Sequence, residues 1–128
     1  MDKSILEVGR LLASAQDIVI ATHMMPDGDG LGAELALFAY LKRLGKNVRV
    51  LNPDKIPRRY EFLDPTGQIY KEYDAKKHKS LKFDLAVVVD TNDHKRLGPL
   101  WDYFLSNVKQ VLFFDHHPNI REAVLPEI

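Results

Sequence analysis

Apolar positions along the chain follow two different periods. Short continuous runs rich in β-branched residues predict buried strands at 17–22, 48–51, 85–89 and 111–114. Segments with an apolar residue every three or four positions predict helices at 4–15, 31–44 and 97–105. Strands that are apolar throughout and alternate with helices indicate a parallel sheet that is covered on both faces. We therefore expect an α/β domain of three layers, with helices on both faces of a parallel sheet.

The middle of the chain has a weaker pattern. Here we expect a short helix at 56–63 and an edge strand at 68–73. The basic run 76–79 is interpreted as a loop or as a solvated helix face. Two histidines outside the strand ends, His78 and His94, are interpreted as surface residues.

Composition narrows the classes of function. The 18 basic and 18 acidic residues cancel, so the chain has no overall basic field for long duplex nucleic acid. There are no cysteines, which excludes disulfides and thiolate metal sites. No apolar run approaches the ~18 residues of a membrane span, and the start has no signal-peptide pattern. We expect a cytoplasmic protein without membrane contact, whose histidines and carboxylates suit metals such as Mn²⁺ or Mg²⁺.

Carboxylates and histidines follow three of the predicted strands. They are His23, Asp27 and Asp29 after strand 17–22, Asp90 after strand 85–89, and Asp115, His116 and His117 after strand 111–114. The carboxyl ends of parallel strands lie at one edge of a sheet, where ligands bind. We therefore expect these residues to converge in space.

The residue types are those that a phosphate-ester hydrolase needs. Two divalent ions ~3.5–4 Å apart neutralise the phosphate and lower the pKa of a bound water. Asp90 stands alone after its strand and is the natural catalytic bridge between two ions. His23 and Asp27 would bind one ion, and Asp29 and His116 the other.

Other residues are assigned to the substrate or to a supporting role. His117 is expected to contact the substrate phosphate, and Asp115 to orient a neighbouring imidazole. Arg96 is a second candidate for the phosphate, with an exposed salt bridge as the alternative. The glycines at 28, 30 and 32 are expected to keep the loop tight, and Gly30 to let phosphate approach the following helix.

Each residue alone also has an ordinary structural explanation. Asp27 and Asp29 fit a turn, Asp90 fits a helix N-cap, and a single histidine is usually a structural or surface residue. The combination at three strand ends favours metal ligation.

Three segments resemble the motifs of the DHH phosphoesterase superfamily. Residues 23–32 read His-Met-Met-Pro-Asp-Gly-Asp-Gly-Leu-Gly and resemble its first motif. Val88-Val89-Asp90 resembles the second motif, and residues 115–117 are the Asp-His-His signature that names the family. The three motifs occur in order between residues 18 and 119. The resemblance implies a Rossmann-like DHH domain.

Finer similarity points to the oligoribonuclease (nanoRNase) and pAp phosphatase branch. It rests on the N-terminal helix, the segment 59–63 and Asp90-Thr91 followed by Arg96-Leu97-Gly98. By this resemblance, the full protein is a Mn²⁺-dependent hydrolase that binds two ions. Mg²⁺ and Co²⁺ are the alternative metals for these two positions. It would bind short single-stranded oligonucleotides or pAp, releasing mononucleotides or the 3′-phosphate. A homodimer is compatible with the resemblance.

Alternative functions remain open at this point. Other relatives suggest a cyclic-dinucleotide phosphodiesterase, a RecJ-like single-strand exonuclease or a pyrophosphatase. A non-catalytic nucleotide-binding module is the alternative from another class.

The chain departs from the family pattern in three respects. Ala33 replaces the serine of the first motif, and Met25 stands where a polar residue is common. The chain also ends at Ile128, before the aspartate of a fourth motif and before the C-terminal DHHA1 domain. We therefore expect residues 1–128 to be a partial DHH domain that fills its second metal position weakly.

Overall fold

The fold is described for residues 3–115 in a computed structural model. Its strands are β1 (Asp17–Ala21), β2 (Asn47–Asn52), β3 (Tyr70–Glu72), β4 (Phe83–Val89) and β5 (Val108–Phe114). All neighbouring strands run parallel, in the order β3-β2-β1-β4-β5. The helices are α1 (Lys3–Ser14), α2 (Gly28–Arg43), α3 (Ala75–His78) and α4 (Pro99–Asn107), with 3-10 helices at Arg58–Leu63 and His94–Leu97. The predicted parallel α/β fold is confirmed.

Alternate residues of the central strands point to opposite faces, which creates two apolar layers. On one face, strand residues pack against α1 and α2, and the buried set includes Ile18, Ile20, Val50, Leu85, Val87, Leu31 and Leu41. On the other face, strand residues pack against α4, and the buried set includes Val19, Ala21, Ala86, Val88, Leu100 and Phe104. Helices therefore cover both faces, and the carboxyl ends of the strands meet at one edge.

Helix α2 begins three residues earlier than the pattern predicts, at Gly28 rather than at residue 31. The Asp27 side chain accepts a hydrogen bond from the Gly30 backbone N–H and caps the helix there. The glycines at 28, 30 and 32 therefore lie in the first turns of a helix, and their assignment to a tight loop is wrong. A Cβ on Gly32 would meet nothing within 4 Å, so close packing does not require glycine there.

The helix expected within 97–105 is α4, which begins at Pro99 because Gly98, with a φ of 55°, separates it from the preceding 3-10 helix. One other prediction needs correction. His78 is buried rather than a surface residue. Its Nδ1 atom accepts from the Asp74 backbone N–H, and its ring stacks on Tyr73. Among residues 3–115, no helix has the length and apolar character needed to cross a membrane.

Candidate metal centre

Three side chains converge at the edge of the sheet where β1 and β4 end. The Nε2 atom of His23 lies 3.2 Å from Oδ2 of Asp90 and 4.0 Å from Oδ2 of Asp27. One donor atom from each residue falls within 4.8 Å of the other two. His23 and Asp90 are buried, whereas Asp27 is exposed. An imidazole nitrogen and two carboxylates are donors that fit a divalent cation.

Asp27 serves both the helix and the site. Its Oδ1 atom accepts from the Gly30 backbone N–H at 3.0 Å, while its Oδ2 atom faces His23. The hydrogen bond from Gly30 is the main reason why the pKa of Asp27 is lowered. The carboxylate is therefore held ionised, as a metal ligand must be.

Asp90 occupies a left-handed backbone conformation with a φ of 66°. Aspartate tolerates this region better than most residues, and such outliers concentrate at functional sites. Its backbone N–H donates to the Phe114 carbonyl, which joins the ends of β4 and β5. Burial raises the pKa of Asp90, and the neighbouring carboxyl groups of Asp27 and Asp29 raise it further. A bound cation would relieve this crowding of like charges.

The orientation of His23 depends on which ring nitrogen carries the proton. With the proton on Nδ1, that atom donates to the Met24 carbonyl oxygen at 2.6 Å, and the Nε2 lone pair faces the two carboxylates. A histidine that binds a metal commonly has its other nitrogen fixed in this way. The Nη2 atom of Arg96 is 2.9 Å from the same Nδ1 atom and donates to it only in the other tautomer. Arg96, assigned to the substrate above, therefore lies beside a predicted metal ligand.

Gly30 lets the start of α2 lie close against the end of β1. A Cβ at this position would be 2.6 Å from Oγ1 of Thr22 and 3.3 Å from Oδ2 of Asp90. The approach to Thr22 is too short for a real side chain, so the packing requires glycine. The structure gives Gly30 this packing role, and its contact with substrate phosphate stays a prediction.

The other predicted ligands lie around this trio. Asp29, Asp90 and Asp115 line one groove of about 500 Å³, together with apolar side chains of α2. Among the described residues, the trio of His23, Asp27 and Asp90 does not extend to Asp29 or Asp115. The predicted roles of His116 and His117 concern residues outside the described part of the chain.

Three buried polar residues next to the site were not identified from the sequence. They are Thr22, Glu34 and Asn52, each almost fully buried. Asn52 is the last residue of β2, and Glu34 lies three residues after Leu31 on the buried side of α2. The sequence does contain one signal for Glu34, which is its position on the apolar stripe of a helix. Burial of a lone carboxyl group is costly, so a charged residue at such a position indicates a specific partner.

Comparisons with known proteins identify the family of the chain. Residues 17–127 match the profile described as DHH family, N-terminal domain. The bifunctional oligoribonuclease and PAP phosphatase NrnA of Mycoplasma genitalium is 36% identical over 119 residues, which cover 91% of this chain and 35% of that protein. The protein of the same name from Thermus thermophilus is 40% identical over 57 residues, covering 41% of this chain and 18% of that protein.

A solved structure has the same fold. The crystal structure of an exopolyphosphatase-related protein from Bacteroides fragilis matches with a TM-score of 0.80 and 23% identity, covering 97% of this chain and 37% of that chain. At this identity the likeness concerns the fold alone. The chain spans 35% of the length of the Mycoplasma relative. Since the family profile extends over residues 17–127, the chain belongs to the DHH family and carries its N-terminal domain.

Proposed function

We propose that this chain carries the metal centre of a phosphoesterase that hydrolyses short single-stranded oligoribonucleotides to mononucleotides and removes the 3′-phosphate of pAp. The observation that carries the proposal is the convergence of His23, Asp27 and Asp90 within 4.8 Å. The substrate class follows the relatives that are named oligoribonuclease and PAP phosphatase.

His23, Asp27 and Asp90 would hold one cation, for which Mn²⁺ is the first candidate and Mg²⁺ or Co²⁺ are alternatives. A divalent cation supplies positive charge for the phosphate oxygens and lowers the pKa of water. Asp90 belongs to the trio and also lines the groove with Asp29 and Asp115, which supports its role as the bridge to a second cation.

The protein groups around the centre have separate tasks in this proposal. Gly30 keeps the α2 N-terminus close to the sheet edge, where backbone N–H groups attract a phosphate. Arg96 lies beside His23 and carries a positive charge for a second phosphate contact. His117 would contact the phosphate that is attacked, with Asp115 and His116 supporting the second cation. We also propose a cytoplasmic location, and a homodimer is compatible with this function.

A direct comparison of substrates tests the proposal. Purified protein with Mn²⁺ would be offered a very short oligoribonucleotide, pAp, cyclic di-AMP and pyrophosphate, and the products quantified by chromatography. We expect mononucleotides from the oligoribonucleotide and AMP from pAp, with loss of both activities in Asp90→Ala. If only cyclic di-AMP or only pyrophosphate is hydrolysed, the proposed substrate class is wrong and that compound represents the correct one. Tight nucleotide binding without turnover would instead support a non-catalytic binding module.

A further inference from the structure

A buried carboxyl group lies behind the metal centre. Glu34 is fully buried in α2, and burial holds its pKa well above the usual range. Its Oε1 atom accepts a hydrogen bond from Nδ2 of Asn52 at 2.9 Å. Its Oε2 atom makes no hydrogen bond with the described residues. A buried carboxyl group is unfavourable for stability. The presence of glutamate at this position therefore indicates a specific role.

The hydrogen bonds continue from Glu34 to the end of β1. The Oδ1 atom of Asn52 accepts from the Thr22 backbone N–H at 2.8 Å. The hydroxyl group of Thr22 donates to the Val89 carbonyl at 2.8 Å. Thr22 therefore connects to the ends of both neighbouring strands, β2 and β4, where the backbone pairing of β1 stops.

The two residues that follow these connections belong to the metal centre. Thr22 directly precedes His23, and Val89 directly precedes Asp90. The start of α2, with Asp27, also lies against Thr22, because Gly30 permits the close approach. Thr22 thus contacts or directly precedes each of the three segments that carry the trio.

The donor and acceptor roles in this series of hydrogen bonds follow from the Thr22 N–H at one end. The Thr22 N–H can only donate, so the oxygen of the Asn52 amide must face it. The amide nitrogen then faces Glu34, which must accept. A glutamine at position 34 can accept in the same way, whereas an apolar side chain cannot.

We propose that Glu34 is a positioning residue of the metal centre, which acts through Asn52 on Thr22 and thereby fixes His23 and Asp90. The inference rests on the metal centre proposed above. It assigns a role in metal affinity to a side chain that does not contact the metal.

The test compares Glu34→Met with the matched control Glu34→Gln. Mn²⁺ affinity would be measured by titration with electron paramagnetic resonance detection. Loss of a supporting hydrogen bond lowers metal affinity about 10–100-fold, so we expect a loss in this range for Glu34→Met and a change under about threefold for Glu34→Gln. Equal affinity of wild type and Glu34→Met would overturn the proposal.

A second readout does not depend on metal. Hydrogen exchange of the Thr22 amide would be followed by NMR in the metal-free protein, with faster exchange expected in Glu34→Met and wild-type exchange in Glu34→Gln. Unchanged exchange in Glu34→Met contradicts the connection to Thr22. If wild-type protein binds no Mn²⁺ while residue 34 still controls this exchange, the proposed function fails and Glu34 is a structural anchor only.

The double variant Glu34→Met/Asn52→Leu provides the answer if Glu34→Met does not fold. Replacing both partners of a buried hydrogen bond with apolar groups is far less destabilising than removing one. In the double variant the Thr22 N–H loses the Asn52 oxygen that accepts from it, so we expect Mn²⁺ affinity to fall by about tenfold or more. Wild-type affinity in this folded double variant would also overturn the proposal.

Discussion

The Nε2 atom of His23 lies 3.2 Å from Oδ2 of Asp90, although 67 residues separate them in the chain. Without a cation, Asp90 is a buried carboxyl group next to Asp27, and burial raises its pKa. Asparagine removes this charge and fits the left-handed backbone at the position. We therefore expect Asp90→Asn to stabilise the metal-free protein by about 0.5–2 kcal/mol, as measured by denaturant unfolding.

The same substitution should abolish metal binding. A ligand at a hundredfold excess over its Kd stabilises a folded protein by about 2.7 kcal/mol, and this Mn²⁺-dependent gain should be absent in Asp90→Asn. Asp102→Asn is the control, since it removes the same charge from an exposed position on α4. A variant that is less stable without metal and still responds to Mn²⁺ would contradict the prediction.

Gly30→Ala tests the close contact between α2 and β1. Its Cβ would be 2.6 Å from Thr22 Oγ1, so the helix start must shift. We expect a loss of stability of about 1–3 kcal/mol and weaker Mn²⁺ binding. Gly32→Ala is the matched control, because its Cβ meets nothing within 4 Å and alanine favours a helix by about 1 kcal/mol. Equal stability of the two variants would show that the contact is unimportant.

Arg96→Gln separates substrate binding from support of His23. If Arg96 contacts the phosphate, loss of one charge-assisted hydrogen bond of about 1.5–3 kcal/mol should raise KM roughly tenfold or more, with Mn²⁺ affinity preserved. Lys95→Gln, an exposed neighbour in the same 3-10 helix, is the control. Weaker Mn²⁺ binding with an unchanged KM would assign Arg96 to His23 instead.

Asp84 gives a prediction about pH and stability away from the metal centre. Its Oδ2 atom accepts from the backbone N–H groups of Gln16 and Asp17, and Lys109 lies 3.2 Å from its Oδ1 atom. These partners lower the pKa of Asp84 to about 2. A lowered pKa in the folded state stabilises the protein above the usual pKa near 3.8, and this contribution is lost as the pH falls through about 2.

Asp84→Asn should therefore destabilise the protein by about 1–3 kcal/mol at pH 7. The difference from wild type should shrink between pH 4 and pH 2 in urea unfolding experiments. A constant difference over this range would mean that the charge of Asp84 is not responsible.

The fold and the trio were largely predictable because both follow from local patterns. Apolar strands that alternate with helices specify a parallel sheet, and a parallel sheet brings the residues after β1 and β4 to one edge. His23, Asp27 and Asp90 could be grouped on this basis alone. Asp29 and Asp115 remain predicted ligands at the neighbouring groove.

What the sequence did not predict depends on tertiary contacts. His78 lies in a basic run that looks solvated, but its ring is buried against Tyr73. Glu34 is a charged residue type in the apolar stripe of α2. It is nevertheless buried there, because Asn52 provides a hydrogen-bond partner inside the core. The left-handed conformation of Asp90 also has no local signature. For Glu34 and Asp90 the partner lies far away in the chain, at Asn52 and at the Phe114 carbonyl, so local patterns do not specify these features.

Anomalous diffraction from crystals soaked in Mn²⁺ is the most direct test of the central claim. We expect an anomalous peak within about 2.5 Å of His23 Nε2 and of carboxylate oxygens from both Asp27 and Asp90. The peak should disappear in crystals of Asp90→Asn. Mn²⁺ bound only at other residues, or no peak at millimolar concentrations, would contradict the assignment of this site as a metal centre.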